Sequence, residues 1–135
     1  MLDAYQLVKA CRPKARVVGP STVAWNQKLM ESFFAFATAN SMRVDAVSWH
    51  EFGDDAVPRY SPNAVQAHVD ACKALFQQFP AMCEGGCPEL HINEYQGGSI
   101  AFSPGHAVSW LEALEAAGIV SANPGCWDAP LGGKS

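Results

Sequence analysis

The chain has no cluster of lysine and arginine, and it carries a formal net charge of -4 over 135 residues. Without a basic stripe there is nothing to track a phosphate backbone, so nucleic acid is not an expected partner, and a membrane surface is not expected on the same ground. No apolar run approaches the roughly 18 residues that span a bilayer. The amino terminus lacks the basic, then apolar, then small-residue order of a secretion signal, which leaves localisation unassigned. No strand-like run is followed by Gly-x-Gly-x-x-Gly or a phosphate-cradling loop, so a nucleotide cofactor is not implied. The five cysteines are odd in number and sparse, unlike a small disulfide scaffold. With 49% hydrophobic and 16% charged residues, the composition is that of one globular domain, 1–135.

The hydrophobic periodicity alternates between strand-like and helix-like runs. Leu2 to Arg12 reads as a helix running into Pro13, and Arg16-Val17-Val18 as a short buried strand ending at Gly19-Pro20-Ser21-Thr22. A helix from about Asn26 to Ala39 is expected to place Leu29, Phe33 and Phe36 on its apolar face, with Met30, Phe34 and Ala37 beside them and Asn40 as a left-handed stop. Val44 to His50 is the next strand, opening into a polar loop. Ser61-Pro62 is a helix start, serine at the cap and proline in the first helical position, followed by Val65, Val69, Cys72, Phe76 and Phe79 up to Pro80. The strand ending at Glu94 comes next. Ser103-Pro104 repeats the start signal ahead of Val108, Leu111 and Leu114, and that helix closes near Gly118. A last strand is expected around Gly125-Cys126-Trp127.

This order predicts an α/β fold with a parallel sheet. The strand spacing of about 30 residues is that of a βα unit. The array matches half of a (β/α)8 barrel, whose usual length is about 250 residues; a doubly wound open sheet is the alternative.

Glu89-Leu90-His91-Ile92-Asn93-Glu94-Tyr95 is the stretch richest in chemistry. It ends a strand on a carboxylate just before the glycine turn Gly97-Gly98. In parallel α/β folds ligands bind beyond the carboxyl ends of the strands, which makes Glu94 the leading catalytic candidate; the bland alternative is a solvated glutamate. His50 ends the preceding strand and is either a site residue or a core histidine bonded to backbone. Trp49, Tyr95 and Trp127 are aromatic candidates for stacking on a ligand, with plain core packing as the alternative. Glu51 is a weak second carboxylate, because neighbours on a strand face opposite sides and both cannot point where His50 points. Glu89 sits at the wrong end of its strand, and Asp54, Asp55 and Asp128 read as surface charges. Cys83 and Cys87 flank a loop and can form a disulfide or stay free; with His91 they also spell a Cys-x3-Cys-x3-His arrangement, a poor match to structural zinc because it lacks a fourth ligand.

These residues resemble glycoside hydrolases of the large retaining (β/α)8 clan, most closely the family 39 β-xylosidase and α-L-iduronidase type, over nearly the whole chain. Val17-Val18-Gly19-Pro20-Ser21 resembles that family's fifth strand, Val44 to His50 its sixth, Leu90 to Tyr95 its seventh, and Gly125-Cys126-Trp127 its eighth. The resemblance implies that Glu94 is the nucleophile and that His50, Trp49, Tyr95 and Trp127 contact a carbohydrate, with no cofactor and no metal. The family's acid/base glutamate lies at the end of the fourth strand, in an Asn-Glu pair that has no counterpart here. The chain is therefore expected to be the C-terminal half of such a domain, inactive alone. It would form part of a longer gene product, pair with another copy, or meet a separately encoded first half. A noncatalytic carbohydrate-binding or interaction protein on the same scaffold is the rival from another class.

Overall fold

The structure is a computed structural model describing residues 1–52, 61–95 and 103–125. Its elements alternate along the chain: helix α1 (Leu2–Cys11), strand β1 (Val18–Thr22), helix α2 (Gln27–Ala39), strand β2 (Ala46–Glu51), helix α3 (Val65–Gln78), strand β3 (Glu89–Tyr95), helix α4 (Pro104–Ala117) and strand β4 (Ser121–Pro124). The four strands form one sheet in the order β1-β2-β3-β4, and every neighbouring pair is parallel. Sequential parallel order with a helix in each crossover is the arrangement of a partial (β/α) barrel, and the expected fold class holds.

The start signals work as local chemistry predicts. Asn26 caps α2 by accepting from the Leu29 amide, and Ser61 accepts from the Asn63 amide ahead of a short 3₁₀ turn, Pro62–Ala64, that leads into α3. Gly118 ends α4 at φ 78°, the left-handed conformation that glycine adopts without a Cβ penalty. Asn40 differs from expectation. Its backbone is at φ -105° and it closes α2 through its side chain, Nδ2 donating to the Phe36 carbonyl, while the left-handed residue is Ser41.

Two strands lie elsewhere than the sequence suggested. β1 includes the Gly19-Pro20-Ser21-Thr22 segment expected to terminate it, and β4 occupies Ser121–Pro124, ahead of the expected Gly125-Cys126-Trp127. Cys126 and Trp127 lie outside the described residues. Among the described residues both are edge strands, the position in which a sheet accepts proline and weak strand formers.

The core lies between the sheet and the three helices α2, α3 and α4. Val47, Trp49, Leu90 and Ile92 of the sheet meet Met30, Phe33, Phe34 and Ala37 of α2, Val65, Val69, Cys72, Leu75 and Phe76 of α3, and Trp110, Leu114 and Ala117 of α4. The apolar faces of α2 and α4 are rotated from the expected ones. Leu29 and Phe36 on α2, and Val108 and Leu111 on α4, are exposed. Each of these helices carries apolar residues on more than one face, and a 3.6-residue period alone does not choose between them. Burial pushes the Cys72 thiol up to about 12, which leaves it an inert core residue.

At the amino ends of the strands Arg16 Nη2 lies 2.7 Å from Glu89 Oε2, which is also 2.9 Å from His91 Nε2. The Arg16 hydrogen bond, then the His91 one, holds the Glu89 carboxyl below its ordinary value. A lowered folded-state pKa contributes stability above the unfolded carboxyl pKa of about 4.3, and that contribution is lost as pH falls through the folded value. Urea midpoints of the Glu89→Gln variant are accordingly expected to lie below those of the parent at neutral pH and to converge with them in strong acid; a gap that persists unchanged in acid contradicts this role.

Candidate active site at the carboxyl ends of the strands

Along β2 the alternation is regular. Val47, Trp49 and Glu51 point into the helix layer, and Ser48 and His50 point to the other side of the sheet, the inner side of a barrel. β3 starts with the same rule: Leu90 and Ile92 are buried in the core, while His91 and Asn93 are half-buried on the inner face. Glu94 then breaks it. The β2–β3 register runs Trp49↔Ile92 and next His50↔Glu94, so Asn93 is an extra residue in β3. A bulge of this kind places two consecutive side chains on the same side and turns the strand end, a device that recurs beside active sites. Asn93 Nδ2 donates to Ser48 Oγ at 3.3 Å, and Glu94 Oε2 lies 3.4 Å from His50 Nδ1. Tyr95 returns to the core side.

β1 has a matching irregularity. Its register with β2 shifts between Pro20 and Thr22, and the intervening Ser21, at φ 59°, sets its Oγ 3.0 Å from Ser48 Oγ. Ser21, Ser48 and Asn93 thus make a hydrogen-bonded row across β1, β2 and β3, and this row satisfies the fully buried Ser48 hydroxyl. Above it stand His50 and Glu94, with side chains 27% and 38% exposed, open enough to meet a ligand. His50 is further braced by the edge of Phe52, ring centroids 5.7 Å apart.

Gly125, directly after β4, completes the setting. Its amide donates to the Tyr95 carbonyl at 2.8 Å, and a Cβ there would fall 2.9 Å from Glu94 Cγ and nearer still to Oε1. Only glycine leaves room for the Glu94 carboxylate to lie across the end of β4.

Glu51, the weak second candidate, is only 1% exposed. Its Oε2 accepts from Trp49 Nε1 at 2.9 Å and pairs with His68 Nδ1 at 2.6 Å. Trp25 stacks on the His68 ring, centroids 5.4 Å apart, and sets its edge on Trp49 at 5.2 Å. This cluster ties the end of β2 to α3 and to the segment after β1, on the opposite side of the sheet from Glu94.

The aromatic candidates separate in the same way. Trp49 is fully buried and Tyr95 is 6% exposed, its ring tilted against Trp110 at 5.5 Å. Burial also raises the Tyr95 phenol above its ordinary pKa. Both face the helices, so neither offers a ring to a sugar, and the stacking expected of them is corrected to core packing. Trp127 lies outside the described residues. Cys83 and Cys87 are joined in a disulfide, which takes both sulfurs from the Cys-x3-Cys-x3-His arrangement, and His91 is engaged with Glu89. Among the described residues, no group of three or more His, Cys, Asp or Glu side chains is placed to hold a metal ion.

Sequence reasoning gave no role to Asn93, Ser48, Ser21, Gly125 or His68. One signal was available for the first: the apolar–polar alternation Leu90-His91-Ile92-Asn93 is followed by a second polar residue before Tyr95, which is how a bulge reads in a sequence.

No family model matches the sequence, and no curated protein does. Solved structures do share the fold. The structure of N2152 from Neocallimastix frontalis superposes over 93% of this chain with a TM-score of 0.76 at 21% identity, and a glucosidase from Croceicoccus marinus over 90% with a TM-score of 0.68 at 18% identity. The arginine decarboxylase of Paramecium bursaria Chlorella virus follows at a TM-score of 0.52, 14% identity and 93% coverage. The chain spans 29%, 26% and 37% of those three chains respectively. At such identities the likeness concerns the fold alone, and that fold is shared by proteins of different activity.

The two carboxylates on opposite faces of the sheet are expected to respond differently to substitution. Glu51→Leu strands the Trp49 Nε1 donor in the core and lowers stability by about 1–3 kcal/mol. Glu94→Gln changes stability by less than about 0.5 kcal/mol, because its side chain is partly exposed. Urea unfolding of the two variants checks this, and equal losses would contradict the separation.

Proposed function

We propose that this chain is the nucleophile-bearing half of a retaining glycoside hydrolase barrel of the family 39 type, with a β-linked glycoside or oligosaccharide as substrate. The observation that carries the reading is the β3 bulge, which sets the Glu94 carboxylate on the inner face beside His50, at the carboxyl end of a parallel strand. Barrel enzymes generally draw their catalytic side chains from that end of their strands. The fold shared with a glucosidase is consistent with it.

In the proposed reaction a Glu94 carboxylate oxygen attacks the anomeric carbon. The new carbon–oxygen ester bond forms as the glycosidic bond breaks, and the leaving oxygen takes a proton from a second carboxyl group. That group must lie about 5 to 5.5 Å from the nucleophile and later accepts a proton from the water that releases the sugar. Glu51 does not meet this need, since it is buried on the other face with Trp49 and His68. The acid/base is supplied from strands outside this four-stranded sheet. His50 serves as a positioning residue, holding one Glu94 oxygen while the other attacks, or as a donor to a sugar hydroxyl. Trp127 is the remaining candidate for the sugar platform. No step needs a cofactor.

The test is hydrolysis of a panel of aryl β-glycosides by this chain and by a version extended upstream, each beside its Glu94→Gln variant. The extended form is expected to be active and to lose at least about 10³-fold in kcat on substitution, the scale of losing an essential catalytic group. Activity that survives Glu94→Gln, or absence of activity from both forms, rejects Glu94 as nucleophile and favours a noncatalytic carbohydrate-binding role.

A further inference from the structure

We infer that Asn93 is a substrate-binding residue, its side-chain carbonyl accepting a hydrogen bond from a ring hydroxyl of the sugar seated over Glu94, with Ser48 and Ser21 fixing the amide for that task. The inference rests on the glycosidase reading of Glu94 and adds what the same site selects, a sugar with an unblocked hydroxyl on its inward edge.

The bulge gives Asn93 its position. As the extra residue of β3 it has no ladder partner on β2, and its side chain shares the inner face with that of Glu94. It precedes Glu94 in a strand whose carboxyl end carries the site, so it lies one step deeper along the inner face, bonded to Ser48 as Glu94 faces His50. A sugar whose anomeric carbon meets the Glu94 carboxylate turns one ring edge toward Asn93.

Hydrogen bonding fixes which end of the amide a ligand meets. Asn93 Nδ2 donates to Ser48 Oγ at 3.3 Å, and Ser48 Oγ lies 3.0 Å from Ser21 Oγ. Ser48 is fully buried, so with its oxygen accepting from Asn93 its one proton goes to Ser21. The row is therefore directional, running from Nδ2 through Ser48 to the exposed Ser21. Among the described residues nothing pairs with Asn93 Oδ1, and that oxygen is not a buried one, because the single buried side-chain N or O without a partner is Thr22 Oγ1. Ser21 alone can satisfy the Ser48 hydroxyl, so the row does not need Asn93 for its own sake. An accepting oxygen, held by its amide nitrogen and open to the inner face beside a carboxylate, is complementary to a hydroxyl donor. A site that hydrogen-bonds a substrate hydroxyl discriminates against the analogue lacking it.

The test uses the upstream-extended chain, the aryl β-glycoside it hydrolyses best, and the analogues of that glycoside that each lack one ring hydroxyl. Asn93→Ala, and Asn93→Leu as a near-isosteric variant with no acceptor, are each expected to lose roughly tenfold in kcat/KM on the intact glycoside. On the one deoxy analogue that lacks the contacted hydroxyl, variant and parent are expected to agree within about twofold. The intrinsic reactivity of each glycoside cancels in that ratio. Ser48→Ala frees the amide to turn, and a smaller loss with the same selectivity is expected of it, whereas a merely structural defect lowers the rate on every glycoside alike. Circular dichroism confirms that the variants fold. An equal loss on all the glycosides, or none on any, overturns the inference, and with Glu94→Gln inactive in the same assays the nucleophile reading survives that result. Activity that persists in Glu94→Gln removes that reading and the inference with it.

Discussion

The site depends on one interruption of a simple rule. In a strand the side chains alternate between faces, and a parallel sheet covered by helices uses that alternation to separate an apolar outer face from its inner one. β3 follows the rule through Leu90, His91 and Ile92, and a regular continuation would send Glu94 into the core beside Trp110. The extra residue at Asn93 prevents this. It restores Tyr95 to the apolar layer and leaves Asn93 and Glu94 together on the inner face, one bonded to Ser48 and the other facing His50. Burying Glu94 without partners would carry a large desolvation cost. The bulge and the position of the carboxylate are therefore a single structural fact.

Neighbouring strands reinforce that arrangement. Ser21 and Ser48 extend the polar row to β1, and Gly125 clears the end of β4 so that the Glu94 side chain has somewhere to lie. Behind the sheet the Glu51 carboxylate joins Trp49, His68 and, through ring contacts, Trp25, which fixes the end of β2 from the helix side. His50 and Glu51 are consecutive residues with opposite tasks. One is presented to the inner face, and the other is a buried anchor whose carboxyl oxygen is met by hydrogen-bond partners.

Much of the architecture was legible in the sequence because it rests on local rules. Ser61-Pro62, Asn26 and Gly118 mark helix ends by chemistry that needs no tertiary context, and the recurring strand–helix spacing predicts a parallel sheet. The opposite orientations of His50 and Glu51 follow from alternation alone. The misplaced features each depend on partners far away in the chain. β1 and β4, edge strands among the described residues, are short, have little strand propensity and are defined by pairing. The choice of Met30, Phe34 and Ala37 over Leu29 on α2, and of Trp110 over Leu111 on α4, is set by what each helix packs against. Trp49 and Tyr95 look like ligand-facing aromatics by their nearness to His50 and Glu94, but period two puts Trp49 on the core face and the bulge puts Tyr95 there.

Glu94, held on the inner face by the β3 bulge, is the proposed nucleophile. The most direct measurement is covalent trapping with a 2-fluoro glycoside bearing a strongly activated leaving group, followed by mass mapping of the adduct. Such a leaving group departs without protonation, so the first step needs only the attacking carboxylate. A glycosyl ester is expected on the peptide containing Glu94 and is expected to be absent from Glu94→Gln. An adduct on a different residue, or none in the presence of demonstrated sugar binding, would contradict it.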